Sequence, residues 1–153
     1  MIDRFHWVVP GRLAAMSLPG RVASLEEDLS EIRDQGIDAV ATLTEYPLDA
    51  EALEQAGLLS RHFPIEDFGV PRIEQVADFC RWVDERHREG LAVAVHCFAG
   101  LGRTGLMIAC WLARERGRKV DEILTSIRRI EPGFVQTAQQ EAFISVWQAG
   151  LVR

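Results

Sequence analysis

The stretch LAVAVHCFAGLGRTG, residues 91–105, carries the pattern on which the fold depends. Residues 91–95 form an apolar run that is typical of a buried central strand. The next segment contains Gly100 and Gly102, and a helical pattern then continues to Arg116. A loop of this kind, between a strand and a helix, lets backbone N–H groups and a helix N-terminus face one anion. The stretch therefore predicts an anion-binding loop at the end of a strand.

Apolar runs rich in β-branched residues alternate with amphipathic patterns outside this stretch, which is typical of an α/β domain. Ser24 and Glu27 are predicted to form a capping box at the first helix. The sequence shows no linker, so residues 1–153 are predicted to form a single α/β domain with a central, mostly parallel sheet flanked by helices. Further strands are predicted at residues 7–9, 12–15, 37–43 and 58–65, and further helices at residues 24–36, 49–56, 71–90, 120–130 and 137–149.

Each of the three cysteines is followed six positions later by an arginine, so this spacing alone selects no site. Two of the cysteines lie inside helical patterns without glycine, where the backbone N–H groups are used by the helix and cannot converge on an anion. Only one pair lies in a glycine-bearing loop. An odd cysteine count without metal-ligand spacing also argues against a disulfide scaffold or a zinc site. The pairs are Cys80 with Arg86, Cys97 with Arg103, and Cys110 with Arg116.

The loop residues have distinct predicted tasks. The loop N–H groups, the helix N-terminus and Arg103 supply the positive potential that stabilises Cys97 as a nucleophilic thiolate. Arg103 can form a bidentate fork to two phosphoryl oxygens. Thr104 can donate its hydroxyl to the sulfur and make it a better leaving group, whereas His96 is predicted to order the loop. The predicted phosphate-binding residues are Phe98, Ala99, Gly100, Leu101, Gly102 and Arg103.

Composition limits the partners that the chain is expected to have. Hydrophobic residues make up 48% and charged residues 26% of the chain, as in ordinary globular proteins, and the formal net charge is −6. This negative charge disfavours nucleic acid and anionic membranes as partners. The sequence has no apolar run long enough to span a membrane and no signal-peptide pattern at its start, which predicts a cytoplasmic protein. We expect a monomer that needs no metal and no cofactor.

The segment HCFAGLGRTG, residues 96–105, resembles the active-site signature of the protein tyrosine phosphatase superfamily: His-Cys, five residues, Arg, Ser/Thr and Gly. The segments WVVPGRLAAMSLPG, TLTE, EDFGVP and IRRIEPG are similar to those of the small atypical dual-specificity phosphatases, across nearly the whole chain. The resemblance implies a mostly parallel sheet flanked by helices. It also implies a general acid on a mobile loop about thirty residues before the nucleophile.

Asp67 stands at the place where the resemblance implies the general acid. A loop carboxylate that closes over the site can protonate the departing oxygen. Glu66 is a rival, because many relatives have proline where this chain has Glu66. Alternatively, Glu66 and Asp67 have no catalytic role and form a solvated acidic turn before the helix at residues 71–90.

The segment QTAQQ, residues 136–140, resembles the Gln-Thr-x-x-Gln motif of the larger tyrosine phosphatases. The small atypical relatives have glutamate at the first position. The resemblance implies that Gln136 orients the hydrolytic water, with Gln140 as a weaker, supporting candidate. Alternatively, both glutamines only begin an exposed helix.

These residues predict a phosphomonoester hydrolase that acts through a phosphocysteine intermediate, with phosphotyrosine in proteins as the expected substrate and phosphoserine or phosphothreonine as further candidates. The loop has no lysines for a polyphosphorylated head group, which disfavours the alternative of a phosphoinositide or nucleotide-polyphosphate phosphatase. A non-catalytic phosphate-binding module is a second alternative. In a third, Cys97 is a buried core thiol and the glycines only make a turn. We also expect Cys97 to be an exposed, peroxide-sensitive thiol.

Overall fold

Strands and helices follow one another in the predicted order in the computed structural model, which describes residues 2–151 of the chain. The strands are β1 (His6–Val9), β2 (Leu13–Met16), β3 (Ala39–Thr42), β4 (Leu59–His62) and β5 (Val93–His96). The helices are α1 (Leu25–Asp34), α2 (Ala50–Gln55), α3 (Ile73–Arg88), α4 (Gly102–Leu112), α5 (Val120–Ile130) and α6 (Ala138–Ala149).

The strands form one sheet in the order β1-β2-β5-β3-β4. Only β1 runs antiparallel to its neighbour; the pairs β2 with β5, β5 with β3, and β3 with β4 are parallel. The apolar strand predicted before the loop is β5, which lies at the centre and is buried along its length. The prediction of a central, mostly parallel sheet is confirmed.

Helices cover both faces of the sheet, because alternate residues of each strand point to opposite sides. Ala14 and Met16 pack on the side of α1 and α2, together with Leu29 and Leu53. On the other side, α3 to α6 bury a larger apolar cluster, which includes Phe79 of α3. That second cluster includes Leu106 and Met107 of α4, Ile123 of α5, and Ile144 and Trp147 of α6.

Several element boundaries differ from the prediction by one to four residues, and the strand predicted at residues 58–65 ends at His62 in β4. Helix α3 begins at Ile73 and not at Pro71, because Arg72 is still extended, with φ of −80° and ψ of 153°. Helix α4 ends at Leu112 and not at Arg116: the backbone tightens into turns, in which Glu115 donates to the carbonyl of Leu112 at 3.1 Å.

The helix caps also differ in detail from the prediction. Ser24 Oγ accepts from the Glu27 backbone N–H at 3.1 Å, but the structure describes no return bond from the Glu27 side chain. A complete capping box stands instead at α6, between Thr137 and Gln140. None of the helices in residues 2–151 is long and apolar enough to cross a membrane.

The carboxyl ends of the four parallel strands bring four loops together, of which residues 17–24 follow β2. In open α/β sheets this edge is where ligands bind. Residues 43–48 follow β3, residues 63–72 follow β4, and residues 97–101 follow β5. The segments that contain TLTE, EDFGVP and HCFAGLGRTG therefore meet at one edge of the sheet. Thr42 in the first segment and Arg103 in the last are 61 positions apart in the sequence.

Candidate active site

The loop between β5 and α4 depends on close backbone contacts that only glycine permits. Gly100 has a φ of 76°, and a Cβ atom placed on it would lie 2.6 Å from the carbonyl oxygen of Met16. A Cβ atom on Gly105 would lie 2.7 Å from the backbone nitrogen of Val135. The loop is thus packed against β2 on one side, while the start of α4 is packed against the segment before α6. These contacts fix its shape.

The backbone N–H groups of residues 98–103 donate to no carbonyl of a helix or of the sheet within residues 2–151. Among the described residues, none of these N–H groups has a backbone or side-chain acceptor. Two loop carbonyls, by contrast, accept hydrogen bonds. The Phe98 carbonyl accepts from the Leu18 N–H at 2.9 Å, and the Leu101 carbonyl accepts from the Gly105 N–H at 2.9 Å. Six successive donors without a protein acceptor, beside a helix N-terminus, form a strong anion-binding environment.

Cys97 lies at the base of this loop and is only 2% exposed. The hydroxyl of Thr104, itself fully buried, donates a hydrogen bond to Cys97 Sγ at 3.0 Å. The expectation that Cys97 is an exposed thiol is wrong. The surrounding residues shield the sulfur from solvent.

Arg103 is held by three oxygens. Its Nη1 donates to Oε1 of Glu45 at 2.6 Å and to the carbonyl of Ile65 at 2.9 Å, and its Nη2 lies 3.2 Å from Oδ1 of Asp67. Its Nε is buried and has no acceptor among the described residues. Nη2 carries two N–H groups and forms one edge of the guanidinium with Nε. One of these groups can therefore remain beside Asp67 while the other joins Nε in a two-point contact with an oxyanion.

His96 is fully buried and orders the loop from below. Its Nδ1 lies 3.0 Å from the carbonyl oxygen of Cys97, and its Nε2 lies 2.9 Å from Oγ1 of Thr42. A carbonyl can only accept, so Nδ1 carries the proton and Nε2 accepts from Thr42. Burial lowers the pKa of His96 to about 4, and the charge of Arg103 adds to this effect. The ring is therefore neutral at physiological pH and suited to positioning.

Asp67 lies over the site on the loop after β4. Its side chain is about half exposed, and the same Oδ1 that approaches Arg103 accepts from the backbone N–H of Phe68 at 3.0 Å. Phe68 has a φ of 61°, which is unusual for a bulky residue, and such conformations are often found at functional sites. Glu66 is exposed, and its side chain makes no hydrogen bond or ion pair with a described residue. Only Asp67 of the two carboxylates contacts Arg103.

Gln136 and Gln140 occupy different positions, although the sequence motif groups them. Gln136 is exposed, and its Oε1 lies next to Gly102, at the mouth of the loop. Gln140 is fully buried: its Oε1 accepts from the backbone N–H of Gln136 at 2.8 Å, and its Nε2 donates to the carbonyl of Gly69 at 3.2 Å. Gln140 therefore connects α6 with the Asp67 loop, and its amide is already occupied.

Cys80 and Cys110 are buried in α3 and α4, away from any loop. Burial raises the pKa of Cys80 to about 12 and raises that of Cys110 well above its usual range. Both thiols are therefore protonated and unreactive at neutral pH. No group of three or more His, Cys, Asp or Glu side chains within residues 2–151 could hold a metal ion.

A cleft of about 380 Å³ opens above Arg103. Glu45 and Asp67 lie in its wall together with Arg103, and Leu18, Tyr46 and Phe98 provide apolar surface. Sequence reasoning gave no role to Glu45 or Tyr46. Their position directly after a predicted parallel strand is the signal that could have identified them, since side chains at that edge face the site.

Comparison with known proteins agrees with this geometry. Residues 14–117 match the family model described as "Tc-R-P: Polymorphic toxin system, DSP-PTPase phosphatase". Tyrosine-protein phosphatase cdc-14 of Caenorhabditis elegans is 30% identical over 149 residues, which are 92% of this chain and 21% of that protein. Dual specificity protein phosphatase CDC14A of Homo sapiens is 31% identical over 156 residues, 96% of this chain and 26% of that protein. The chain thus spans about a quarter or less of these two relatives.

Solved structures match over the full length. The crystal structure of Tk-PTP in its active form superposes with a TM-score of 0.86 at 34% identity, covering 99% of this chain and 100% of the other. PTPMT1 in complex with PI(5)P superposes with a TM-score of 0.81 at 19% identity, covering 96% of each chain, and so shares the fold.

Proposed function

This chain belongs to the DSP-PTPase phosphatase family, and we propose that it hydrolyses phosphotyrosine in proteins through a phosphocysteine intermediate. One observation carries this proposal. The N–H groups of residues 98–103 and the Nε of Arg103 all lack a protein acceptor, and they belong to the loop and helix start that directly follow Cys97. A phosphoryl group bound to Cys97 would supply the oxygens that these donors need.

The proposed reaction is a double displacement. The Cys97 thiolate attacks phosphorus, the bond from phosphorus to the leaving oxygen breaks, and that oxygen takes the proton of Asp67. Water then attacks the phosphocysteine and gives a proton to the Asp67 carboxylate, and the bond between sulfur and phosphorus breaks to release inorganic phosphate. The hydrogen bond from Thr104 stabilises the departing thiolate, and Gln136, beside Gly102, is proposed to orient the water.

Two features of the cleft support an aryl phosphate in a protein as substrate. Its apolar surface includes the exposed rings of Tyr46 and Phe98, which can contact an aromatic leaving group. The charged side chains that contact Arg103 in the cleft are carboxylates, Glu45 and Asp67, which would repel additional phosphates bound directly beside Arg103. We further propose that the chain acts as a monomer without a metal ion.

Wild-type protein should hydrolyse 4-nitrophenyl phosphate in the presence of EDTA, and vanadate should inhibit it, because vanadate resembles the trigonal bipyramidal transition state. A panel of phosphotyrosine, phosphoserine and phosphothreonine peptides, inositol phosphates and RNA 5′-triphosphate measures the specificity through kcat/KM. Peptide phosphotyrosine should be preferred. Inactivity on the whole panel would support a non-catalytic binding module, and a preference for inositol phosphates or RNA 5′-triphosphate would reassign the substrate.

The Asp67→Asn variant should lose about 10²-fold in kcat on 4-nitrophenyl phosphate, because the departing oxygen no longer receives a proton from the loop. The matched control is Glu66→Gln, which should keep kcat within about two-fold of wild type. A loss of kcat confined to Glu66→Gln would make Glu66 the acid.

A further inference from the structure

The loop between β2 and α1, residues 17–24, lies beside the nucleophile loop and is fixed at two points. Its Leu18 N–H donates to the carbonyl of Phe98 at 2.9 Å. Its Gly20 N–H donates at 2.7 Å to Oδ2 of Asp28, a carboxylate that is 3% exposed. A buried charged acceptor makes a strong hydrogen bond to a backbone N–H group. These two hydrogen bonds hold the loop beside Phe98 as far as Gly20.

The residue that follows Gly20 is Arg21, which is exposed. Its guanidinium carbon lies 4.6 Å from the centre of the Phe98 ring, an arrangement that attracts a cation to the ring face. Arg21 makes no hydrogen bond or ion pair with any of residues 2–151. Its five N–H donors therefore remain available to a ligand while the ring holds the group in place.

The two arginines at the cleft differ in their ion pairs. Glu45 and Asp67 both contact Arg103. Phe98, which carries Arg21 on its ring, directly follows Cys97 in the sequence and lines the same cleft. An anion bound near Phe98 thus meets a guanidinium that forms no ion pair with a carboxylate of residues 2–151.

We propose that Arg21 determines substrate specificity by binding a second anionic group, a carboxylate or a second phosphoryl group, within a few residues of the phosphoresidue in a peptide. This inference rests on the proposed function. An extended peptide advances about 3.3–3.6 Å per residue, so a side chain one to three positions from the phosphoresidue can reach the Phe98 side of the cleft. A peptide is favoured over a membrane lipid because the net charge of −6 opposes approach to an anionic bilayer.

The test uses phosphotyrosine peptides in which one glutamate is moved through the three positions on either side, each with a glutamine counterpart. Wild type should favour glutamate at one or two positions by about two- to five-fold in kcat/KM, mainly through KM, as expected of an exposed ion pair. Phosphoserine at the preferred position should raise the preference further. Salt should reduce both effects. Arg21→Ala should abolish the preference, and Arg21→Glu should reverse it.

The matched control is Arg116→Ala, since Arg116 is exposed and follows the end of α4 that lies opposite the nucleophile loop. It should keep the preference, and both alanine variants should hydrolyse 4-nitrophenyl phosphate within two-fold of wild type. A glutamate preference that survives Arg21→Ala overturns the inference, as does an effect of Arg21→Ala confined to phosphoinositide vesicles. Wild type that hydrolyses none of these compounds would instead contradict the proposed function itself.

Discussion

The Cys97→Ser variant should lose at least about 10⁴-fold in kcat on 4-nitrophenyl phosphate, because removing the nucleophile of a covalent mechanism leaves only binding and electrostatic effects. A serine hydroxyl is almost entirely protonated near neutral pH. The positive environment of this loop stabilises an anion, so it does little to make the serine hydroxyl a nucleophile. Because serine is smaller than cysteine and keeps the contact with Thr104 feasible, the loop should remain intact. The variant should therefore still bind a phosphotyrosine peptide, which calorimetry can measure.

The other two cysteines are the controls for this prediction. Cys80→Ala and Cys110→Ala remove thiols that burial keeps protonated, so both variants should retain kcat within about two-fold, although each leaves a small cavity that lowers the free energy of unfolding. Turnover by Cys97→Ser within ten-fold of wild type would contradict the covalent mechanism. Loss of activity in a control variant that remains folded by circular dichroism would also contradict it.

The comparison of the three cysteines shows what sequence can reveal about this site. All three pairs share the spacing to arginine, yet only Cys97 follows a buried strand and precedes a loop with glycines. Strand burial, glycine position and helix start are local properties, so they could be recognised without coordinates. The order of elements and the mostly parallel sheet followed from the same local patterns.

The contacts that complete the site could not be recognised in this way. Arg103 meets Glu45 across 58 positions of sequence, and Gln140 meets Gly69 across 71 positions. Such pairs depend on which strands become neighbours, and no local pattern encodes the order β5-β3-β4. The capping box of Thr137 and Gln140 is different, because Thr-x-x-Gln is a local pattern that the sequence contains. The burial of Cys97, in contrast, depends on how the loop closes against β2.

The Arg103→Lys variant should lose about 10³-fold in kcat/KM on 4-nitrophenyl phosphate, although it keeps the positive charge. An ammonium group is a point charge and cannot offer two parallel N–H donors to the phosphoryl oxygens. It also cannot occupy at once the positions of Nη1, which contacts Glu45 and Ile65, and of the free Nε edge. We therefore expect most of the loss in kcat, with a smaller rise in KM.

The Glu45→Gln variant distinguishes two functions of Arg103: the contact of Nη1 with Glu45, which orients the guanidinium, and the contact of the Nε edge with the oxyanion. The Glu45 carboxylate holds Nη1 at 2.6 Å, and its own backbone N–H together with Arg103 lowers the pKa of Glu45, so the carboxylate is charged throughout the neutral range. Glutamine keeps the shape and an acceptor oxygen but removes the charge. This variant should lose only about ten-fold in kcat, because the guanidinium is less firmly oriented while its oxyanion-binding edge persists. If Glu45→Gln were as inactive as Arg103→Lys, or if Arg103→Lys were nearly as active as wild type, the bidentate role of Arg103 would be wrong.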